Sequence, residues 1–163
     1  MVVEEENEVS ENEEFGSKTA SNAAARLIIC ERQGTWALVF RRLLSGSGVP
    51  MVETRLLAEC SEELTQWPHS MLVLELTQEN AGPVFEMLIN LQRDYPTARA
   101  ILVAARSMRA YESLARELGA LHFTTSPRLM MPVAGVVERH FARIPKPQLT
   151  ITERLRASLP WSR

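Results

Sequence analysis

Glu31 and Glu75 are the side chains of this sequence best placed to do chemistry. The run Met71-Leu72-Val73-Leu74-Glu75-Leu76-Thr77 is almost wholly apolar, with Glu75 near its end. Leu27-Ile28-Ile29-Cys30 is a shorter run, followed at once by Glu31. Two further segments stop at Ala104-Ala105 and at Ser126-Pro127. Short continuous apolar runs read as strands of a parallel sheet covered on both faces. Ligands and reactive groups collect outside the carboxyl ends of such strands. Two carboxylates there form an acidic crevice, but a thin ligand set for a hard cation such as Mg²⁺, which demands near-octahedral oxygen ligands.

The other reactive side chains form no recognisable constellation. Cys30 and Cys60 are not in a CxxC pair, and His69, His122 and His140 are far apart in sequence, so a zinc site is not expected. Cys30 reads as a small buried residue. A disulfide to Cys60 stays open from sequence, with a reducing compartment arguing against it. No metal and no cofactor is called for.

The elements that must position these groups alternate along the chain. After Leu27–Cys30, Trp36, Val39, Phe40, Leu43 and Leu44 recur at helical spacing, which predicts a helix over Gly34 to Leu44. Val52 to Leu57 reads as a more polar edge strand. Ser61 caps a short helix through Trp67, with Glu62 and Glu63 in its first turn. The Met71–Leu76 strand follows, then a helix opened by Asn80-Ala81-Gly82-Pro83 and closed by Tyr95-Pro96. Ala98 to Ala104 is a buried strand. Tyr111 to Leu118 is a helix stopped by Gly119, Leu121 to Thr125 a fifth strand, and Met131 to Ala142 the last main helix, with His140 packed on its inner stripe. Five strands alternating with helices predict an α/β fold: a flavodoxin-like, doubly wound parallel sheet of order 2-1-3-4-5, helices on both faces. Strands 1 and 3 then lie side by side, and Glu31 and Glu75 share one crevice.

Three segments follow from composition. Residues 1–25 read as a disordered acidic leader, since residues 1–14 hold seven Glu and no Lys or Arg. Residues 26–144 are the folded domain. Residues 145–163 are a Pro-containing linker, Pro145-Lys146-Pro147, and a short helix over Thr152 to Leu159, with Trp161 docked on the domain or held out for a partner. The whole chain has a net charge of −2, so the part after residue 14, with 18 basic and 13 acidic side chains, is modestly basic. A contact between leader and body is permitted but screened. The basic excess is too scattered for a nucleic-acid interface. No apolar run approaches the roughly 18–20 residues needed to span a bilayer, and no signal peptide fits the acidic start. A cytoplasmic protein is expected.

Residues 26–143 resemble the receiver domain of two-component response regulators. Val73-Leu74-Glu75-Leu76 resembles the strand that carries the phosphorylated Asp. Gly119-Ala120, Phe123 and Ser126-Pro127 resemble the family's Gly-Ala, aromatic switch and Lys-Pro elements. The resemblance is to a degenerate, pseudo-receiver type. The family's acidic pair is here Cys30-Glu31, its acceptor Asp is Glu75, its Thr/Ser is Ala104 and its Lys is Ser126. The aromatic is kept as Phe123. The family's corresponding Lys-Pro bond is cis, so the resemblance implies a cis Ser126–Pro127 bond.

Those losses remove phosphoryl transfer, which depends on positioning and on cations around the transferring group. Glu75 is one methylene longer than Asp, a displacement of about 1 Å that can cost about 100-fold. The expectation is a non-phosphorylatable signalling module, with no catalytic residues, that acts through a protein partner or self-association. The family's output surface is its fourth helix, fifth strand and fifth helix. By resemblance this places Tyr111, Glu112, Arg116, His122 and Arg139 at a contact face, with Trp161 as a further contact. The alternatives are a residual phosphoacceptor using Glu75, or a flavin-binding module for which Gln33-Gly34-Thr35 is a fragment of a phosphate loop.

Overall fold

A computed structural model describes residues 25–144. Most of the acidic leader, the Pro145 linker, the Thr152–Leu159 helix and Trp161 lie outside the described residues. Ala25, assigned to the leader, belongs to the domain and is buried.

Five parallel strands form one sheet in the order β2-β1-β3-β4-β5. They are β1 (Leu27–Cys30), β2 (Met51–Thr54), β3 (Met71–Leu76), β4 (Arg99–Ala104) and β5 (Ala120–Thr124). Five helices connect or follow them: α1 (Thr35–Leu43), α2 (Leu57–Gln66), α3 (Ala81–Asp94), α4 (Glu112–Glu117) and α5 (Met131–Arg143). The doubly wound architecture expected from the alternation is the one observed.

The central strands β1, β3 and β4 are apolar at nearly every position because both faces are covered. Alternate residues serve two cores. Ile28, Leu72, Leu74 and Leu102 pack with α2 and α3 residues such as Leu64 and Leu88. Leu27, Ile29, Val73 and Ile101 pack with Trp36 and Phe40 of α1 and Val133 and Val137 of α5. Leu72, Leu74 and Leu102 are fully buried, and each such side chain contributes about 1.5–3 kcal/mol. In the β1–β3 register Cys30 stands opposite Leu74, so the next residues on the two strands, Glu31 and Glu75, emerge side by side.

Several boundaries differ from expectation. β2 ends at Thr54, and α2 begins at Leu57 rather than at a Ser61 cap. The Glu59 carboxylate accepts from the Arg55 and Leu56 amides at 2.8 and 3.2 Å, so the third residue of α2 closes its own amino end. Ser61 lies inside the helix, its hydroxyl donating to the Leu57 carbonyl. Tyr111 ends a 3₁₀ turn, Arg106–Tyr111, that precedes a shorter α4. The Ser126–Pro127 bond is trans, correcting the expected cis bond. Pro127 opens a 3₁₀ turn in which the Leu129 amide donates to the Ser126 carbonyl at 3.1 Å. The fixed φ of proline suits that first position.

Candidate functional site

At the carboxyl ends of β1 and β3 a cavity of about 280 Å³ is lined by Glu31, Arg32, Arg55, Glu75, Glu79 and Asn80, among others. The two carboxylates predicted to share a crevice therefore do so, but they face different ways. Glu31 is 3% exposed. Its carboxylate accepts from the Trp36 amide at 2.9 Å and the Ala37 amide at 2.5 Å. These are otherwise unsatisfied donors in the first turn of α1, where the helix dipole also favours a negative charge. The turn is possible because Gly34 adopts a left-handed backbone with φ 79°, folding the chain back over Glu31.

Glu75 is half-buried, and its carboxylate accepts from the Arg32 amide at 2.8 Å. Asn80 braces the strand end, donating to the Glu75 carbonyl and accepting from the Thr77 amide, both at 2.8 Å. Two guanidiniums lie at the same crevice. Arg32 pairs with Glu79 at 2.8 Å. Arg55 donates to the Glu31 and Arg32 carbonyls at 3.2 and 2.7 Å. Sequence reasoning missed Arg32 and Arg55, since a single Arg after a strand has no spacing to mark it, and it read Asn80 only as the opening of α3.

Cys30 and Cys60 are free, buried and within hydrogen-bonding reach of each other. The Cys60 thiol holds the Cys30 thiol below its ordinary value, against the opposing effect of burial, with Thr54 adding a second hydrogen bond. Cys60 is pushed up by that same bond and by burial.

A receiver-type Mg²⁺ does not fit this donor set. Both Glu31 oxygens are engaged by α1 amides, Glu79 is paired with Arg32, and a guanidinium already uses two of the loop carbonyls. Among the described residues no group of three or more His, Cys, Asp or Glu side chains is arranged to hold a metal ion.

The remaining candidates sit elsewhere. Ala104 is buried opposite Leu76 in the β3–β4 register. Ser126 and Phe123 line a separate cavity of about 1020 Å³ with Arg106, Arg109, Arg116 and Arg128. The Thr124 hydroxyl accepts from the Ser126 amide at 3.4 Å. Glu112 and Arg116 form an ion pair at 2.9 Å, and half-buried His122 lies beside them. Burial lowers its basicity, and Arg116 lowers it further. Tyr111 packs on Phe85, ring centroids 5.9 Å apart. Arg139 is apart from these residues, at a third cavity with His69 and His140.

The fold these elements define is that of response-regulator receiver domains. A response regulator from Thermotoga maritima superposes with a TM-score of 0.62 over 74% of this chain and 99% of its own, at 9% identity. A CheY-like protein, TadZ, from Pseudomonas aeruginosa PAO1 gives 0.59 over 71% and 98%, at 15% identity. An orphan response regulator of H. pylori gives 0.58 over 72% and 97%, at 12% identity. No sequence family matches the chain, and no curated relative does. The shared property is thus architecture, and the chemistry must be argued from this chain's own residues.

Proposed function

We propose that this chain is a receiver-like signalling module that works by protein contact and not by phosphoryl transfer. The observation that carries the reading is the commitment of Glu31. The one carboxylate left in the position of the family's acidic pair is buried and spent on the amides of α1. Glu75 then stands without a carboxylate partner free to share a cation. Ala104 offers no hydroxyl and Ser126 no charge to a phosphoryl group on it. Phosphoryl transfer without surrounding cations loses most of its electrostatic stabilisation. Arg32 and Arg55 beside the crevice are already engaged by Glu79 and by loop carbonyls.

The contact surface in this reading is the face formed by α4, β5 and α5. It combines the arginines of the 1020 Å³ cavity with apolar side chains left in solvent. Leu129 and Met131 are 68% and 69% exposed. Arginine beside exposed apolar residues is a composition that protein interfaces favour. Glu112, Arg116 and His122 belong to this face, and a protein partner or a second copy is its occupant. A cytoplasmic location accords with this role, as does the absence, among the described residues, of a helix long and apolar enough to cross a membrane.

Incubation of the purified protein with a small phosphodonor and Mg²⁺, followed by intact-mass measurement, tests the central claim. An unchanged mass is expected. A stoichiometric phosphoryl adduct mapped to Glu75 would restore the phosphoacceptor alternative. Flavin absorbance in the purified protein would instead favour the flavodoxin-type alternative.

A further inference from the structure

At the opposite ends of the strands from Glu75 lies a cavity that Ile144, the last described residue, helps to line, and whose His69 loop holds the first described residues. It encloses about 630 Å³ at the amino ends of β4 and β5, against α5. Arg99, Arg139 and Arg143 line it with His69 and His140, over an apolar floor that includes Leu121. No carboxylate is among its lining residues. None of its three arginines is in an ion pair among the described residues. Arg99 donates to the carbonyls of Pro96 and Ala98, both at 2.7 Å, which fixes the place of its charge. A ring nitrogen of His140 meets the His69 carbonyl at 3.0 Å and ties α5 to the loop before β3.

The chain enters the fold beside this cavity. The Arg26 amide donates to the Ser70 hydroxyl at 3.0 Å, and the Met71 amide to the Arg26 carbonyl at 3.0 Å. Residue 25 is thus held next to the loop that carries His69. Ile144, the last described residue, lines the cavity itself. The two outer segments differ in charge. Residues 1–14 carry seven Glu and no Lys or Arg. Residues 145–163 carry Lys146, Arg154, Arg156 and Arg163 against Glu153 alone, the same sign as the rim. Only the first is electrostatically complementary.

We propose that the glutamate-rich segment Glu4 to Glu14 seats on this arginine-rimmed cavity of its own chain. Residues 15–24 supply the tether. Ten residues extend at most about 33–36 Å, ample to reach a cavity beside the entry point. A short tether makes the contact intramolecular, so individually weak, exposed charge pairs act at a high effective concentration. The arginine cavity beside Ser126 is the weaker candidate. It lies at the far ends of the strands from residue 25, and Glu112 already pairs with its Arg116. Seating of the leader would cover Arg139 and the amino end of β5 and leave the α4–β5–α5 cavity open.

Amide NMR on the full chain tests this. A variant with all seven leader glutamates changed to Gln is compared with the parent protein. Shift changes are expected at Leu121, Arg139, His140 and Ile144, at every protein concentration. The same changes are expected when the parent is taken to about 1 M salt, where the screening length falls to about 3 Å. A peptide of residues 1–14 added in excess to the Gln variant should reverse them. Reversing the cavity charges, Arg139→Glu with Arg143→Glu, should reproduce the Gln-variant spectrum for the leader. The leader substitutions leave every described residue intact, so a failure of the arginine variant to fold does not spoil the test. Changes confined to the leader, changes centred on Arg106 to Arg128, or changes that scale with protein concentration as for exchange between copies would each overturn the proposal.

Discussion

Glu31 and Glu75 stand side by side at the strand ends and do different work. Glu31 is a buried cap whose carboxylate satisfies two amides of α1. The Glu75 carboxylate accepts a single hydrogen bond, from the Arg32 amide. Removing a cap that satisfies helix amides costs about 1–2 kcal/mol, and the charge adds dipole stabilisation. Glu31→Ala is therefore expected to lower stability by about 2 kcal/mol. Glu75→Gln, which keeps an acceptor in an open crevice, should stay within about 0.5 kcal/mol. Urea unfolding of the two variants measures the contrast, and equal losses would remove the distinction between them. The sequence made it legible that both acids end adjacent strands. It did not reveal that Glu31 turns inward. The signal was present in Gly34 between Glu31 and Trp36, which permits the left-handed turn, but nothing in residue type alone separates that use from a phosphate loop.

The helices and strands were legible wherever apolar periodicity decided them, as in α1, β3, β4 and α5. They were less so where local hydrogen bonding set the boundary. α2 starts at Leu57 because Glu59 reaches back to two amides, a device that competes with the Ser61 cap and wins by position. α4 is short because the residues before it close into a 3₁₀ turn around buried Met108. Gly119 was correctly read as the stop of α4, and the structure gives the reason a sharper form. Its φ is 94°, and a Cβ there would fall 1.5 Å from the Gln92 amide nitrogen. That nitrogen donates to the Leu118 carbonyl at 2.9 Å, so Gln92 of α3 closes the end of α4. A left-handed L-residue costs about 1–2 kcal/mol, and displacing Gln92 adds the loss of that bond, about 1 kcal/mol. Gly119→Ala should destabilise by about 2–3 kcal/mol in all. Gly46 is the control: its φ is 88° and nothing lies within 4 Å of its would-be Cβ, so Gly46→Ala should show the backbone part alone. Similar losses for the two, read from thermal or urea unfolding, would remove the role given to Gln92.

At the scale of the whole molecule, alternation of strand and helix specified the topology because a covered parallel sheet leaves few other arrangements. The arginine-lined cavities were invisible for the opposite reason. Arg99 comes from β4 while Arg139 and Arg143 come from α5, and only tertiary packing assembles them. The same packing gives the domain a pH dependence. His122 and His140 are both held below the ordinary histidine range, chiefly by burial. Around His122, Arg116 acts in the same direction and Glu112 opposes it. Around His140, the His69 carbonyl favours the proton, while Arg99, Arg143 and His69 oppose it. A histidine whose basicity falls on folding binds more protons in the unfolded chain. Its contribution is thus fully present above the unfolded value of about 6.5 and is lost as pH falls below it. Stability should therefore drop between about pH 7.5 and 5.5, a window above the carboxylate range. The drop should shrink in His140→Gln, where the Gln can still donate to the His69 carbonyl, and shrink further when His122→Gln is added. Urea midpoints at the two pH values, read with the seven leader glutamates changed to Gln so that no leader carboxylate faces His140, decide the matter. A midpoint that rises on acidification, or a slope untouched by both substitutions, would show that other groups set the pH response.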